Sequence, residues 1–125
     1  MVHIRSFAVA AADPTLTYPA VPAAVNRALN KASLDITQID LIEIQEAFAA
    51  QALADAKLMG IDASDVEKKV NVNGSGISLG HPIGATGAIR LTTLIHEMIR
   101  QDVQFGLLTI CGGGGLGICT VLERK

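Results

Sequence analysis

Tryptophan is absent from the 125 residues, and only one tyrosine and three phenylalanines are present. A core cannot be built around large rings. It has to be assembled from Ala, Val, Ile and Leu, which suits the close-packed layers of an α/β protein. Cysteine is equally scarce: Cys111 and Cys119 are too few for a disulfide framework, and no Cys/His spacing matches a zinc site. No metal is expected, and the thiols place the chain in a reducing, cytoplasmic setting. A surplus of charge is missing as well. The formal net charge of −2 and the lack of a polybasic run argue against nucleic acid and against a membrane surface as partners. The first residues lack the charged flank and continuous apolar stretch of a signal peptide. The uncharged span Phe105 to Leu122 is long enough to raise the question of membrane crossing, but Gly112-Gly113-Gly114-Gly115 divides it into two short strands joined by a turn.

What is abundant is apolar surface. Half of the residues are hydrophobic and 18% are charged, a high apolar share for so short a chain. Residues 1–125 read as one domain or part of one, with some apolar surface meeting another copy or a missing domain.

Val2 to Ala12 reads as a buried strand ended by the turn Asp13-Pro14. Pro19 and Pro22 prepare a helix carrying Ala24, Val25, Ala28 and Leu29 at helical spacing through Asn30, and a loop with Ser33 and Thr37 follows. Ile39 to Ile44 is a second, β-branched strand. Glu46 to Met59 repeats Ala47, Phe48, Ala50, Leu53, Ala54 and Leu58 at helical spacing, with Gly60 as its stop. Asp62 to Lys69 is a solvated turn or short helix. A helix from Ile83 to about Arg100 is apolar nearly all round, so it is expected to lie buried between layers, where Arg90 needs a carboxylate or carbonyl partner. Gln104–Cys111 and Leu116–Leu122 complete an α/β layered arrangement with a mixed sheet, in the order β-α-β-α-loop-α-β-β.

Three places carry candidate chemistry. Asn73 to Gly87 surrounds His81 with five glycines and Pro82, and puts the imidazole where a tight loop feeds a helix N-terminus that favours negative charge. Cys111 ends a strand before the glycine turn, whose bare N–H groups could bond an oxyanion. Gln45-Glu46 lies at a strand-to-helix junction. An imidazole, a thiol and an amide could together polarise a carbonyl and move a proton. Gly112 to Gly117 formally fits G-x-G-x-x-G, but strand-like residues follow where a dinucleotide site requires a helix, so that reading is rejected. Cys119, His3 and His96 are assigned to packing or surface.

On these motifs the chain resembles the thiolase family of acyl-CoA acetyltransferases, specifically its C-terminal half. Gly80-His81-Pro82-Ile83-Gly84-Ala85 is similar to the family's Gly-His-Pro loop, Glu46-Ala47-Phe48-Ala49 to its Asn-Glu-Ala-Phe motif, and Cys111-Gly112-Gly113 to its Cys-x-Gly motif. The resemblance implies a thiolase-like fold over residues 1–125. It implies that His81 raises the nucleophilicity of a catalytic cysteine and helps to bind a thioester oxygen. Cys111 would exchange a proton with the substrate α-carbon and the leaving thiol, and the Gly113 N–H would form part of a second oxyanion hole. Ala47 and Phe48 would line the tunnel for the pantetheine arm of coenzyme A. Gln45 stands where the family usually has Asn, sometimes His, holding an ordered water. The acyl-accepting cysteine belongs to the family's N-terminal half and has no counterpart here.

Two expectations follow. The first is an enzyme part for reversible Claisen condensation or thiolysis of 3-oxoacyl-CoA, inactive alone. Acyl-CoA would be its substrate, no cofactor would be tightly bound, and the partner would be an N-terminal half or subunit in a homo- or hetero-oligomer. The second is a coenzyme A-binding or protein-interaction module that performs no chemistry.

Overall fold

The computed structural model describes residues 1–15 and 20–125. Four strands form one sheet in the order β1-β4-β3-β2. Strand β1 (Val2–Ala11) runs antiparallel to β4 (Leu116–Arg124), β4 antiparallel to β3 (Phe105–Gly112), and β3 parallel to β2 (Leu41–Ile44). The sheet is therefore mixed, as the order of elements suggests. The span Phe105 to Leu122 is indeed two strands around a glycine turn, and no helix among the described residues is long and apolar enough to cross a membrane.

Helix α1 (Ala20–Ala32) covers one sheet face with Ala20, Val21, Ala24, Val25 and Ala28, all at most 1% exposed. Pro22 lies in its first described turn; Pro19 falls outside the described residues. The small alanines let the helix sit close to Ala8, Ala10, Cys119 and Val121 of the sheet. After a 3-10 turn (Ile36–Gln38), whose Asp35 caps the Thr37 N–H, β2 begins at Leu41, two residues later than its β-branched pattern suggests. Asp40 is used instead as an acceptor for the Gln104 and Phe105 N–H groups.

Three further helices lead to the glycine loop: α2 (Ala49–Leu58), α3 (Ala63–Lys69) and the single turn α4 (Gly76–Leu79). Helix α5 (Thr86–Arg100) then packs on the other sheet face, against β3 and β2, where Leu94 and Met98 meet Leu41, Leu108 and Leu122. It is not enclosed between layers. Its buried stripe is Thr86, Arg90, Leu94, Glu97 and Met98, while Ile89 and Ile99 are exposed. Three of those five buried residues are polar, so the apolar residues outnumber what the sheet can cover.

Beyond α5 none of the described helices covers the same sheet face. In antiparallel pairing, residues directly opposite point to the same side, and Ile4, Phe7 and Val9 of β1 oppose Leu122, Thr120 and Ile118 of β4. Ile4, Phe7, Val9, Leu116 and Ile118 are all 41% exposed or more. They form the contiguous apolar surface that the composition leads one to expect.

Candidate functional site

The C-terminal ends of the two parallel strands lie side by side, joined by the bond from the Gln45 N–H to the Thr109 carbonyl (3.0 Å). This is the edge at which α/β sheets commonly present reactive groups. Gln45 follows β2 there, and Cys111 occupies the penultimate position of β3.

The glycine loop is fastened to that edge by side chains. Asn71, at φ +49°, accepts from the Ile44 N–H (2.7 Å) and donates to the Ile44 carbonyl (2.9 Å) and to Glu46 Oε1 (3.0 Å). Ser75 Oγ donates to the same Ile44 carbonyl (2.9 Å), and Glu46 Oε2 accepts from the Ile77 N–H (3.0 Å). On the far side Asn73 donates to Glu97 and Arg90 donates to the Gly80 carbonyl (3.1 Å). Gly80 itself is at φ +87°, a conformation open to glycine and costly for residues with a Cβ. The start of α5 reaches β3 at Gly87, which faces Ile110 next to Cys111. The loop, the β2 end and the β3 end thus converge, although no direct hydrogen bond joins His81, Cys111 and Gln45 among the described residues.

His81 is exposed, with Nδ1 2.8 Å from Thr86 Oγ1. Cys111 is half-buried, and burial together with the nearby Asp55 carboxyl pushes its thiol pKa up. Gly113 sits at the open tip of the three-residue turn between β3 and β4. Gln45 is 1% exposed, and neither amide atom has a partner among the described residues. Its side chain lies under Gly76, where a Cβ would stand 2.5 Å from the Glu46 carbonyl oxygen and closer still to Gln45 Nε2. The longer side chain therefore folds beneath the loop instead of reaching into open space.

Ala47 and Phe48 are exposed, Phe48 by 68%. They are not helical, as the spacing from Glu46 onward suggests; Phe48 is extended at φ −144°, ψ 146° and α2 starts at Ala49. Glu46 is held by the loop, and the Ala47 N–H is taken by Gln51 Oε1 (3.1 Å), so the chain stays extended until the helix can begin.

Several polar residues of the site escape sequence reasoning. Asp55 is fully buried, bonded to the Gln51 amide through Oδ2 with Oδ1 unpartnered, and burial raises its pKa to about 6. Glu43, behind Gln45 on the α5 face, is 2% exposed; burial lifts it to about 7 against the opposing charge of Arg90. Arg90 finds the carbonyl partner it requires in Gly80, while its Nε and Nη1 remain unpartnered. Glu97, bonded by Arg100 and Asn73, is held down to about 2. A legible signal did exist on α5: Thr86, Arg90 and Glu97 recur at i, i+4 and i+11, on the stripe shared with Leu94 and Met98. His3 pairs with Glu123 (3.2 Å), His96 is exposed and Cys119 is buried, which leaves them at structural or surface positions. No group of three or more His, Cys, Asp and Glu that could hold a metal ion occurs among the described residues.

Comparison with known proteins agrees with this architecture. The family description "Thiolase, C-terminal domain" matches residues 1–124. The chain is 49% identical over 124 residues to an acetyl-CoA acetyltransferase of Pseudomonas aeruginosa, covering 99% of this chain and 30% of that protein. It is also 49% identical over 123 residues to a 3-ketoacyl-CoA thiolase of Photobacterium profundum, covering 98% of this chain and 31% of that one. The crystal structure of the Bacillus anthracis acetyl-CoA acetyltransferase superposes with a TM-score of 0.92 at 42% identity, over 100% of this chain and 31% of that chain. The chain thus spans about a third of the length of these relatives. It belongs to the thiolase family, to whose C-terminal domain it corresponds.

Proposed function

We propose that the chain is the C-terminal part of a thiolase-type acyltransferase. It would supply acid/base and oxyanion groups for reversible Claisen condensation or thiolysis of a 3-oxoacyl-CoA, with the nucleophilic cysteine coming from an N-terminal half. The observation that carries this reading is the fastening of the loop that bears His81 to the strand ends that bear Gln45 and Cys111, beside an exposed apolar sheet face. In this reading His81 accepts the proton of the partner's thiol and then bonds the thioester oxygen. Cys111 takes a proton from the substrate α-carbon and returns one to the leaving thiol. Its raised pKa favours the protonated form, which suits the donor half of that exchange. The Gly113 N–H, unencumbered at its turn, is placed to stabilise developing negative charge. The exposed Ala47 and Phe48 form a surface for the pantetheine arm.

The partner half would cover Phe7, Val9, Leu116 and Ile118 together with the outer flank of α5. That burial would give α5 the layer it lacks on this chain. In this reading acyl-CoA is the substrate and no tightly bound cofactor is required. The domain would be residues 1–125, in a reducing, cytoplasmic setting suited to two free thiols, within a homo- or hetero-oligomer.

One observation favours a second reading, a coenzyme A-binding or interaction module without chemistry: the Gln45 amide is turned under Gly76. The two readings separate in a reconstituted pair of this chain with an N-terminal thiolase half. The enzyme reading expects His81→Ala to lower kcat/KM for thiolysis by about a hundredfold or more, the scale of a lost general base. Full activity with His81→Ala would contradict it. Acyl-CoA binding by calorimetry without turnover would favour the module.

A further inference from the structure

The stripe of α5 beneath the loop holds His81 at two points. Arg90 bonds the Gly80 carbonyl, fixing the main chain just before the histidine, and Thr86, one turn earlier on the same stripe, meets the ring. Thr86 is 3% exposed, so water cannot readily replace either of its contacts. Its hydroxyl has one proton and two lone pairs, and it has two neighbours: the Pro82 carbonyl at 3.1 Å and His81 Nδ1 at 2.8 Å. A carbonyl oxygen can only accept, so the Thr86 proton goes to Pro82, the back-bond that a helical threonine makes to the residue four positions earlier. The hydroxyl then has only lone pairs to offer the imidazole. With the proton on Nδ1, both contacts are hydrogen bonds; with the proton on Nε2, one of the two becomes a repulsive contact between lone pairs.

We propose that Thr86 is a positioning residue that fixes neutral His81 in the Nδ1–H tautomer and leaves Nε2, on the exposed ring, as the proton acceptor. This rests on the reading of His81 as the base, and it adds which nitrogen serves and what sets it. The ring is tied to the first residue of α5 by a neutral hydroxyl. The hydroxyl assigns the tautomer and the ring direction.

The test is the nitrogen-15 NMR of the His81 ring in the full chain, in alkaline buffer where imidazole is neutral, with Thr86→Val and Thr86→Ser alongside. The proposal expects the Nδ1–H form to dominate in the wild type and in Thr86→Ser. In Thr86→Val the ratio of Nδ1–H to Nε2–H should fall at least tenfold. Valine matches threonine in shape, and the Pro82 carbonyl keeps the Ala85 and Thr86 N–H bonds, so the loop retains its other fastenings. A wild-type ring protonated on Nε2, or an unchanged ratio in Thr86→Val, overturns it. Should Thr86→Val fail to fold, the wild-type and serine spectra decide, and Nε2–H in either of them is the contrary result. The tautomer is read without any partner half or turnover. Failure here therefore leaves the acyltransferase reading standing, and failure of that reading does not alter the spectrum.

Discussion

The two faces of the sheet are built on opposite terms. The face under α1 is closed by alanines and short aliphatic side chains, with Ser6 bonded to the Ala28 carbonyl of the helix. The face under α5 holds Glu43, Gln45, Thr86, Arg90 and Glu97 in or beside its core, and beyond the helix it ends in exposed Phe7, Val9 and Ile118. One face is complete in itself. The other spends stability on buried polar groups and leaves apolar surface uncovered, the pattern of a face kept for function rather than for folding.

The largest expected effect comes from breaking the charged face. Arg90→Ala removes the donor to the Gly80 carbonyl and empties a fully buried side-chain position in the α5 stripe, and should lower unfolding free energy by about 2–5 kcal/mol, the scale of a large-to-small core substitution. A denaturant titration of the chain measures this. The pH dependence should follow the buried carboxyls. Glu43 at about 7 and Asp55 at about 6 hold their protons more tightly in the fold than in the unfolded chain. The unfolded state therefore binds fewer protons between about pH 4 and pH 7, and stability falls as pH rises through that window, by at most about 3 kcal/mol per group. Glu97, held down to about 2, has the opposite sign, but its contribution is already complete above its ordinary value of 4.5. Urea midpoints should be higher at pH 5 than at pH 8.

On the closed face, Ala28→Leu should destabilise by about 1–3 kcal/mol through overpacking, visible in the same titration. Asp55→Asn removes a negative charge near Cys111 and should lower the thiol pKa. Alkylation at neutral pH should speed up roughly threefold, with buried Cys119 as the internal control. The smallest effect belongs to the open face: Val9→Thr with Leu116→Thr should change the stability of the chain alone by about 0.5 kcal/mol or less. The same pair should weaken docking of a partner half, and that contrast separates a surface used by another chain from one needed for folding.

Much of the fold is legible because it follows from local pattern. An apolar run ended by Asp13-Pro14 marks β1, although its Ile4, Phe7 and Val9 prove exposed rather than buried; a glycine turn splits Phe105 to Leu122, and apolar spacing marks α1 and α5. His81 and Cys111 stand out because costly glycines flank them. What is not legible depends on residues distant in sequence. The delayed start of α2 requires Asn71 and Ile77 to hold Glu46, and the burial of Gln45 requires Gly76 to pass over it. Nothing in the local pattern singles out Asp55, because its burial and its influence on Cys111 arise only in the assembled fold. Helix α5 reads as enclosed because its apolar residues run nearly all round, whereas the fold buries only the stripe of Thr86, Arg90, Leu94, Glu97 and Met98.

The most direct test of the central claim, that this chain carries half of an acyltransferase site, is a thiolysis assay of a 3-oxoacyl-CoA with this chain, with an N-terminal thiolase half carrying the nucleophilic cysteine, and with the two mixed. The account predicts no turnover from either alone and turnover from the mixture, lost on His81→Ala. Turnover by this chain alone, or a mixture that binds but never turns over, would contradict it.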